Sequence, residues 1–179
     1  IRDLAKYIIK QSKNEFKNIN FLNDYSLKFS KPKSKKNNIF ISIDSRHDQN
    51  NWGQNNYIKL IKKTLEAGNI QKIFINFDPS KTKVFRKIIK EFINIKKIKF
   101  TYSYNFNQLI LTMNNCKFII GNESGPICIG AALNKKILSI YYPKHTPQSS
   151  KTINKKVKYF NTDLISPNKI ISKIVKTIN

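Results

Sequence analysis

From Ile39 onward, two hydrophobic patterns take turns along the chain. Short runs of consecutive apolar residues, the mark of strands buried on both faces, alternate with longer stretches in which apolar positions recur every three or four residues, as on a one-sided helix. The runs predict strands at Ile39 to Asp44, Lys72 to Phe77, Ile98 to Tyr102, Cys116 to Gly121 and Ile137 to Tyr142, with a short one near Lys158 to Phe160. The helical stretches begin with Asn55 to Ala67, which turns Ile58, Leu60, Ile61 and Leu65 inward and ends at Gly68. A second, capped by Ser80, carries Val84, Phe85, Ile88, Ile89 and Phe92. A third, capped by Asn105, spans Phe106 to Asn115, with Phe106, Leu109, Ile110 and Met113 at core spacing. A small-residue helix is expected over Ile127 to Leu133, and a last one starts at Ser166 and Pro167 with Ile170, Ile171, Ile174 and Val175 inward.

Before Ile39 the pattern differs. Ile1 to Phe16 has a helical stripe, while Lys17 to Asn38 is irregular and ends in the basic run KPKSKKNN, which reads as a solvated linker. The chain is thus expected to divide near Lys36, into an N-terminal helix and linker (1–38) and one α/β domain (39–179). Strands separated by helices predict a Rossmann-like parallel sheet with right-handed crossovers and helices on both faces. Such sheets bind ligands at the carboxyl ends of their strands, near the point where strand order reverses. That rule selects the loops Ser45 to Gln54, Asp78 to Lys81, Ser103 to Asn105 and Asn122 to Pro126.

The last of these loops carries the clearest chemistry. In CKFIIGNESGPICIGAALNKKILSIYYP, a strand runs into Asn122, Glu123 and Ser124, Gly125 and Pro126 set a turn, and a helix begins. Backbone N–H groups at a helix start stabilise an anion, with phosphate the obvious candidate. Gly125 is expected to serve both the turn and the close approach of a ligand to the backbone. Neither GxGxxG nor GxxxxGK[ST] occurs, which argues against an ordinary NAD domain or P-loop NTPase.

Charge widens the range of partners. The 34 Lys plus Arg against 10 Asp plus Glu give a net charge of +24, favouring anionic partners such as phosphorylated substrates, nucleic acid or anionic lipid. Lys, Asn and Ile make up roughly half the chain, as an AT-rich coding sequence would give, so most individual lysines read as solvated surface. The lysines are expected over nearly every helix and no aromatic RNA-binding strand motif occurs, which counts against nucleic acid. The two cysteines, Cys116 and Cys128, form no disulfide framework or zinc pattern, and no metal site is expected. No apolar run reaches the roughly 18 residues of a membrane span. The chain opens on Ile1 and reads as part of something longer.

Two segments in order carry a family resemblance. IFISIDSRHDQNNWGQNNYIKLIKKTL resembles the strand, polar loop, Trp and helix of glycosyltransferase family 9, the ADP-heptose:lipopolysaccharide heptosyltransferases. IIGNESGPICIGAALNKKILSIYYP resembles that family's (D/E)(S/T)GPxH segment, and NFNQLILTMNNCKFII the helix leading into it. The resemblance implies the C-terminal, nucleotide-sugar-binding half of a GT-B enzyme. It places Ser45 and Arg46 beside the donor diphosphate, makes Ser124, Gly125 and Pro126 the phosphate-facing turn, and puts Glu123 at the acidic position, bonding loop N–H groups or a sugar hydroxyl. Trp52 and Ser80 border the same donor site, with Trp52 read as packed against loop and helix rather than stacked on adenine. Two family positions differ: Asn50 replaces a basic residue and Cys128 a histidine; Arg46, His47 or Lys144 could compensate.

The implied reaction transfers a sugar from a nucleotide-diphosphate donor, ADP-heptose by resemblance, to a lipopolysaccharide or other glycan or lipid-linked acceptor, without a cofactor. The resemblance assigns the carboxylate base to an N-terminal domain that this sequence does not show, so no catalytic residue is assigned here. It also implies a cytoplasmic location, peripheral at the inner membrane. The competing expectation is a non-catalytic basic domain for nucleic acid or an anionic membrane, with its lysines gathered on one face.

Overall fold

Ile39, Phe40 and Ile41 sit in β3 (Asn38–Ser42), at the middle of a six-stranded sheet, and none of the three is accessible to solvent. The computed structural model describes residues 37–45, 51–102, 106–142 and 156–179, together with the backbone of β1 (Asn20–Phe21) and β2 (Leu27–Lys28), which pair antiparallel. That pair corrects the reading of Lys17 to Asn38 as wholly irregular; two-residue strands are too short to leave a periodicity. The helix expected over Ile1 to Phe16 and the boundary near Lys36 lie outside the described residues.

After β3 come α1 (Gln54–Glu66), β4 (Lys72–Phe77), α2 (Arg86–Phe92), β5 (Ile98–Tyr102), α3 (Phe106–Asn114) and β6 (Phe118–Asn122). Then follow α4 (Gly125–Ala132), β7 (Lys136–Tyr141), β8 (Val157–Asn161) and α5 (Pro167–Ile178). The sheet order is β5-β4-β3-β6-β7-β8, every neighbouring pair parallel. The parallel sheet with helices on both faces that the alternating patterns predicted is therefore present.

Because successive strand residues point to opposite faces, the buried runs feed two cores. Ile39, Ile41, Ile73, Ile75 and Ile120 face a core closed by α1, α2 and α5, through residues such as Leu60, Ile88 and Ile174. Phe40, Ile119 and Ile137 face the other, closed by Leu109 and Met113 of α3 and Ile127 of α4. The second layer is tight: a Cβ placed on Gly130 of α4 would lie 2.6 Å from Ile119 Cδ1. This is the close packing that the small residues of that helix predict.

The two helix layers differ in charge. α1, α2 and α5 each carry three Lys or Arg, with Glu66 and Glu91 their only acids. α3 and α4 carry no charged residue at all. The expectation of lysines spread over nearly every helix is corrected by this division.

Further differences have local causes. Ser80 does not cap an α-helix: Asp78 caps a 3₁₀ turn over Pro79–Lys81, accepting hydrogen bonds from Ser80 N (2.9 Å) and Oγ (2.7 Å), so the hydroxyl is already engaged. The α-helix starts only at Arg86, leaving Val84 49% exposed while Phe85 remains buried. α4 begins at Gly125 rather than Ile127, since Gly125 and Pro126 form its first turn. In α5, Ile178 joins Ile170, Ile171 and Ile174 in the core, with Val175 packed at its margin. Asn105 lies outside the described residues.

β3 and β6 approach closely at Gly121. Gly121 is the register partner of Ser42, and a Cβ added to it would meet Ser42 O at 2.3 Å. The obstacle is backbone, which cannot rotate aside. Gly121→Ala should therefore destabilise the fold by about 3 kcal/mol, as overpacking and a displaced ladder add, measured as a lower urea midpoint; an unchanged midpoint would refute the close approach.

Candidate functional site

From β3 the chain steps outward through β4 to β5, and from β6 outward through β7 to β8, so strand order reverses between β3 and β6. The carboxyl ends of these two central strands are where an open α/β sheet presents its ligand crevice. Ile43, Asp44 and Ser45 leave β3 there; Glu123 and Ser124 leave β6.

Asn122 holds the two exits together. It is fully buried, donates from Nδ2 to Ile43 O (3.2 Å), and accepts at Oδ1 from Trp52 N (3.2 Å). One side chain thus fixes both the start and the return of the loop after β3. Around it, Tyr142 OH donates to Asn51 O (2.8 Å), and Tyr57 OH donates to Ser42 O (3.3 Å). Trp52 is 3% exposed and meets the Tyr57 ring edge-on, with centroids 5.2 Å apart. Gly53, at φ 91°, supplies the left-handed backbone that lets the chain turn from Trp52 into α1.

A third loop braces the first. Lys81, beyond β4, donates from Nζ to Asp44 Oδ1 (2.9 Å) and to Ser45 O (2.6 Å), while Asp78 N donates to Asp44 Oδ2 (3.2 Å). The lysine charge is therefore balanced by Asp44 at the protein's own surface.

On the β6 side, Glu123 N donates to Ile140 O (3.1 Å), and Ile127 N and Cys128 N both donate to Ser124 O. Among the described residues the N–H groups of Ser124 and Gly125 have no acceptor, and the buried hydroxyl of Ser124 and Oε2 of Glu123 have no partner. Ser124 occupies the N-cap position of α4 without making the side-chain cap. Two amides and a hydroxyl thus stand at a helix start, at the switch point, in the arrangement that takes an oxyanion. Half-burial without a compensating hydrogen bond pushes the Glu123 carboxyl up to about 7 by desolvation.

The structure brings Ser45, Trp52, Glu123, Ser124, Gly125 and Pro126 to this end of the sheet. Ser45 is buried and offers its carbonyl to Lys81. Ser80 lies on the neighbouring loop, committed to Asp78. Cys128 is half-buried in the second turn of α4. Arg46, His47, Asn50 and Lys144 lie outside the described residues. The expectation that the turn needs glycine at 125 is corrected: Gly125 is exposed, is not among the positive-φ residues, and a Cβ there would meet nothing within 4 Å. The glycine demanded by close approach is Gly121. Glu123 was expected to bond loop N–H groups or a sugar hydroxyl; within the described residues its Oε2 bonds to none. Sequence reasoning assigned no bracing role to Asn122 and Asp44, nor to Lys81, although Asn122 and Lys81 fall within the selected loops Asn122 to Pro126 and Asp78 to Lys81. The signal for the first two was a polar residue ending an otherwise apolar strand run; nothing marked Lys81 among so many lysines. No group of three or more potential metal ligands occurs among the described residues.

The parallel sheet flanked by helices is the Rossmann-like fold of the GT-B glycosyltransferases. Comparison of folds agrees: over 86% of this chain it superposes on E. coli ADP-heptose lipopolysaccharide heptosyltransferase II with a TM-score of 0.70 and 16% identity, covering 53% of that chain. E. coli heptosyltransferase WaaC with ADP gives 0.64 and 12% identity over 83% of this chain and 46% of its own. WaaC with ADP-2-deoxy-2-fluoro heptose gives 0.62 and 14% over 82% and 44%. The chain thus spans about half the length of these enzymes. Curated protein sequences give no match. The sequence profile of glycosyltransferase family 9 (heptosyltransferase) matches residues 3–177, and the chain belongs to that family.

Two outcomes follow from this geometry. Asn122→Ala leaves Ile43 O and Trp52 N without their buried partner, so it should lower stability by about 2–3 kcal/mol, read by denaturant unfolding; a loss near zero would mean that the bridge is dispensable. For Glu123, the unfolded carboxyl titrates at its ordinary 4.5 and the folded one at about 7, so the unfolded state loses its proton first as pH rises. Stability is therefore lost between those values, and Glu123→Gln should be neutral near pH 4 and stabilising near pH 8, by about 1 kcal/mol once solvent screening is allowed for. Unfolding curves at the two pH values check the sign.

Proposed function

We propose that this chain is the donor-binding half of a heptosyltransferase-like glycosyltransferase, holding a nucleotide-diphosphate sugar for transfer to a lipopolysaccharide or other glycan acceptor. The observation that carries this reading is the pair of unengaged amides and the buried Ser124 hydroxyl at the start of α4, at the strand-order switch. Family membership supports it, as do relatives of the same fold captured with ADP and with an ADP-heptose analogue.

Sugar transfer asks for stabilisation of the departing diphosphate and for a base on the acceptor hydroxyl. The first falls to this chain. Amides of Ser124 and Gly125, reinforced by the helix dipole, meet charge that grows on the leaving oxygen, and Ser124 Oγ donates a further hydrogen bond. Glu123, held protonated through much of the range below about 7, donates to the diphosphate or a sugar hydroxyl instead of repelling it. The base belongs to the other half of the enzyme. In this reading the donor is a substrate, no cofactor takes part, and the enzyme works on the cytoplasmic side of the inner membrane, where a lipid-linked acceptor is met.

Calorimetric titration of the chain with ADP, UDP and GDP tests the proposal. ADP should bind with a Kd on the order of 1 mM and without sugar turnover, and Ser124→Ala should weaken it about tenfold through loss of one hydrogen bond to a charged group. Absence of heat with all three nucleotides at millimolar concentration would overturn the donor site.

A further inference from the structure

We infer that the outer surface of the α1, α2 and α5 layer is a docking face for anionic lipid bilayers. The argument starts from the charge division between the two helix layers. Base composition alone would distribute lysine over both, yet the polar positions of α3 are Asn107, Gln108, Thr112 and Asn114, while those of α1, α2 and α5 include eight Lys and one Arg. The same coding bias supplied neutral residues on one side and cations on the other, so composition does not account for the difference. Glu66 pairs with Lys63 (3.0 Å) and Glu91 with Lys62. The remaining cations of this face have no carboxylate partner among the described residues.

Between α1 and α5 this face opens into a cavity of about 850 Å³. Ile171 and Val175 contribute apolar surface to it, and Lys59, Lys62, Lys63 and Lys176 rim it, together with Glu66, whose carboxylate is paired with Lys63. Ammonium groups around a hydrocarbon-compatible groove complement an anionic amphiphile, with the headgroup among the lysines and the upper acyl chain against the apolar surface. Nucleic acid fits less well. Eight of the nine cations are Lys rather than the Arg that grips phosphate bidentately, and the groove walls carry no aromatic ring for a base to stack on. The layer covers a face of the sheet, whereas the loops after β3 and β6 leave its carboxyl end. Docking by this face therefore leaves the donor crevice open at the side.

Flotation of the chain with phosphatidylcholine vesicles containing or lacking roughly a third phosphatidylglycerol tests the assignment. Binding should require the anionic lipid and fall steeply between about 0.05 and 0.5 M salt. At about fivefold per neutralised lysine, Lys59→Glu/Lys176→Glu should weaken it at least 25-fold, whereas Lys99→Glu/Lys117→Glu, away from α1 and α5, should change it by less than threefold. Circular dichroism verifies folding, and Lys59→Gln/Lys176→Gln, with a smaller loss in the same direction, serves if the reversal variant unfolds. ADP titration of the α1/α5 variants should match that of the unaltered chain, which separates this inference from the donor-site proposal. Equal binding to neutral vesicles, equal weakening by both double substitutions, or tighter binding of single- or double-stranded nucleic acid through the same lysines at matched salt would overturn it.

Discussion

Everything at the functional end of this molecule depends on how closely β3 and β6 approach. Gly121 lets the β6 backbone pass against the Ser42 carbonyl at a distance that no side chain would permit. One residue further, Asn122 spans the two strands and holds both ends of the loop after β3. The sequence step Gly-Asn is thus a mechanical unit: glycine brings the strands together, and asparagine ties their exits. The orientation of Ser124 and the first amides of α4 follows from it, because the chain has only Glu123 between the tie and the N-cap. An oxyanion site made of backbone needs that rigidity, since amides that must reorganise on binding lose the advantage of being aimed beforehand.

This arrangement also explains which parts could be read from sequence. Strand runs such as KIFINF and the apolar spacing of α5 report burial directly, because two-sided burial and one-sided burial impose different periods. Lys81 could not be read. Its partners Asp44 and Ser45 lie 37 and 36 residues away, and only the pairing of β3 with β4 brings them together. Ser80 was misplaced because an N-cap assignment asks which polar residue precedes the helix, whereas here Asp78, two residues earlier, accepts from both the amide and the hydroxyl of Ser80 and holds it inside a 3₁₀ turn. Gly125 was misjudged for a related reason: a glycine next to proline resembles a turn, yet its dihedrals are ordinary and the steric requirement falls four residues earlier. Trp52 is the opposite case, where the bland reading, a ring packed on its own loop and helix, describes its contact with Tyr57.

Charge was legible as a total but not as a distribution. A net charge of +24 says only that the molecule attracts anions. The fold sorts that charge, because α1, α2 and α5 share one face of the sheet and α3 and α4 the other. The basic group is not contiguous in sequence: α3 and α4 fall between α2 and α5, so a linear scan sees lysines coming and going.

The same sorting bears on how a diphosphate would be held. The family resemblance puts a basic residue and a histidine where this chain has Asn50 and Cys128, and Lys81, which donates to the Ser45 carbonyl, is paired with Asp44. Even without an unpaired cation among its described residues, such a site can favour an anion if its donors are fixed and its own acid is neutral. Ser124 and Gly125 supply fixed donors, and burial keeps Glu123 from adding a full negative charge below about 7. Long-range attraction then comes from the lysine-rich helices, whose field is screened by salt over roughly 10 Å, while the short-range hydrogen bonds are not. On the proposed reading, steering and holding are thereby separated: salt would act on the rate at which an anion arrives, and the geometry of Asn122, Ser124 and Gly125 on how long it stays.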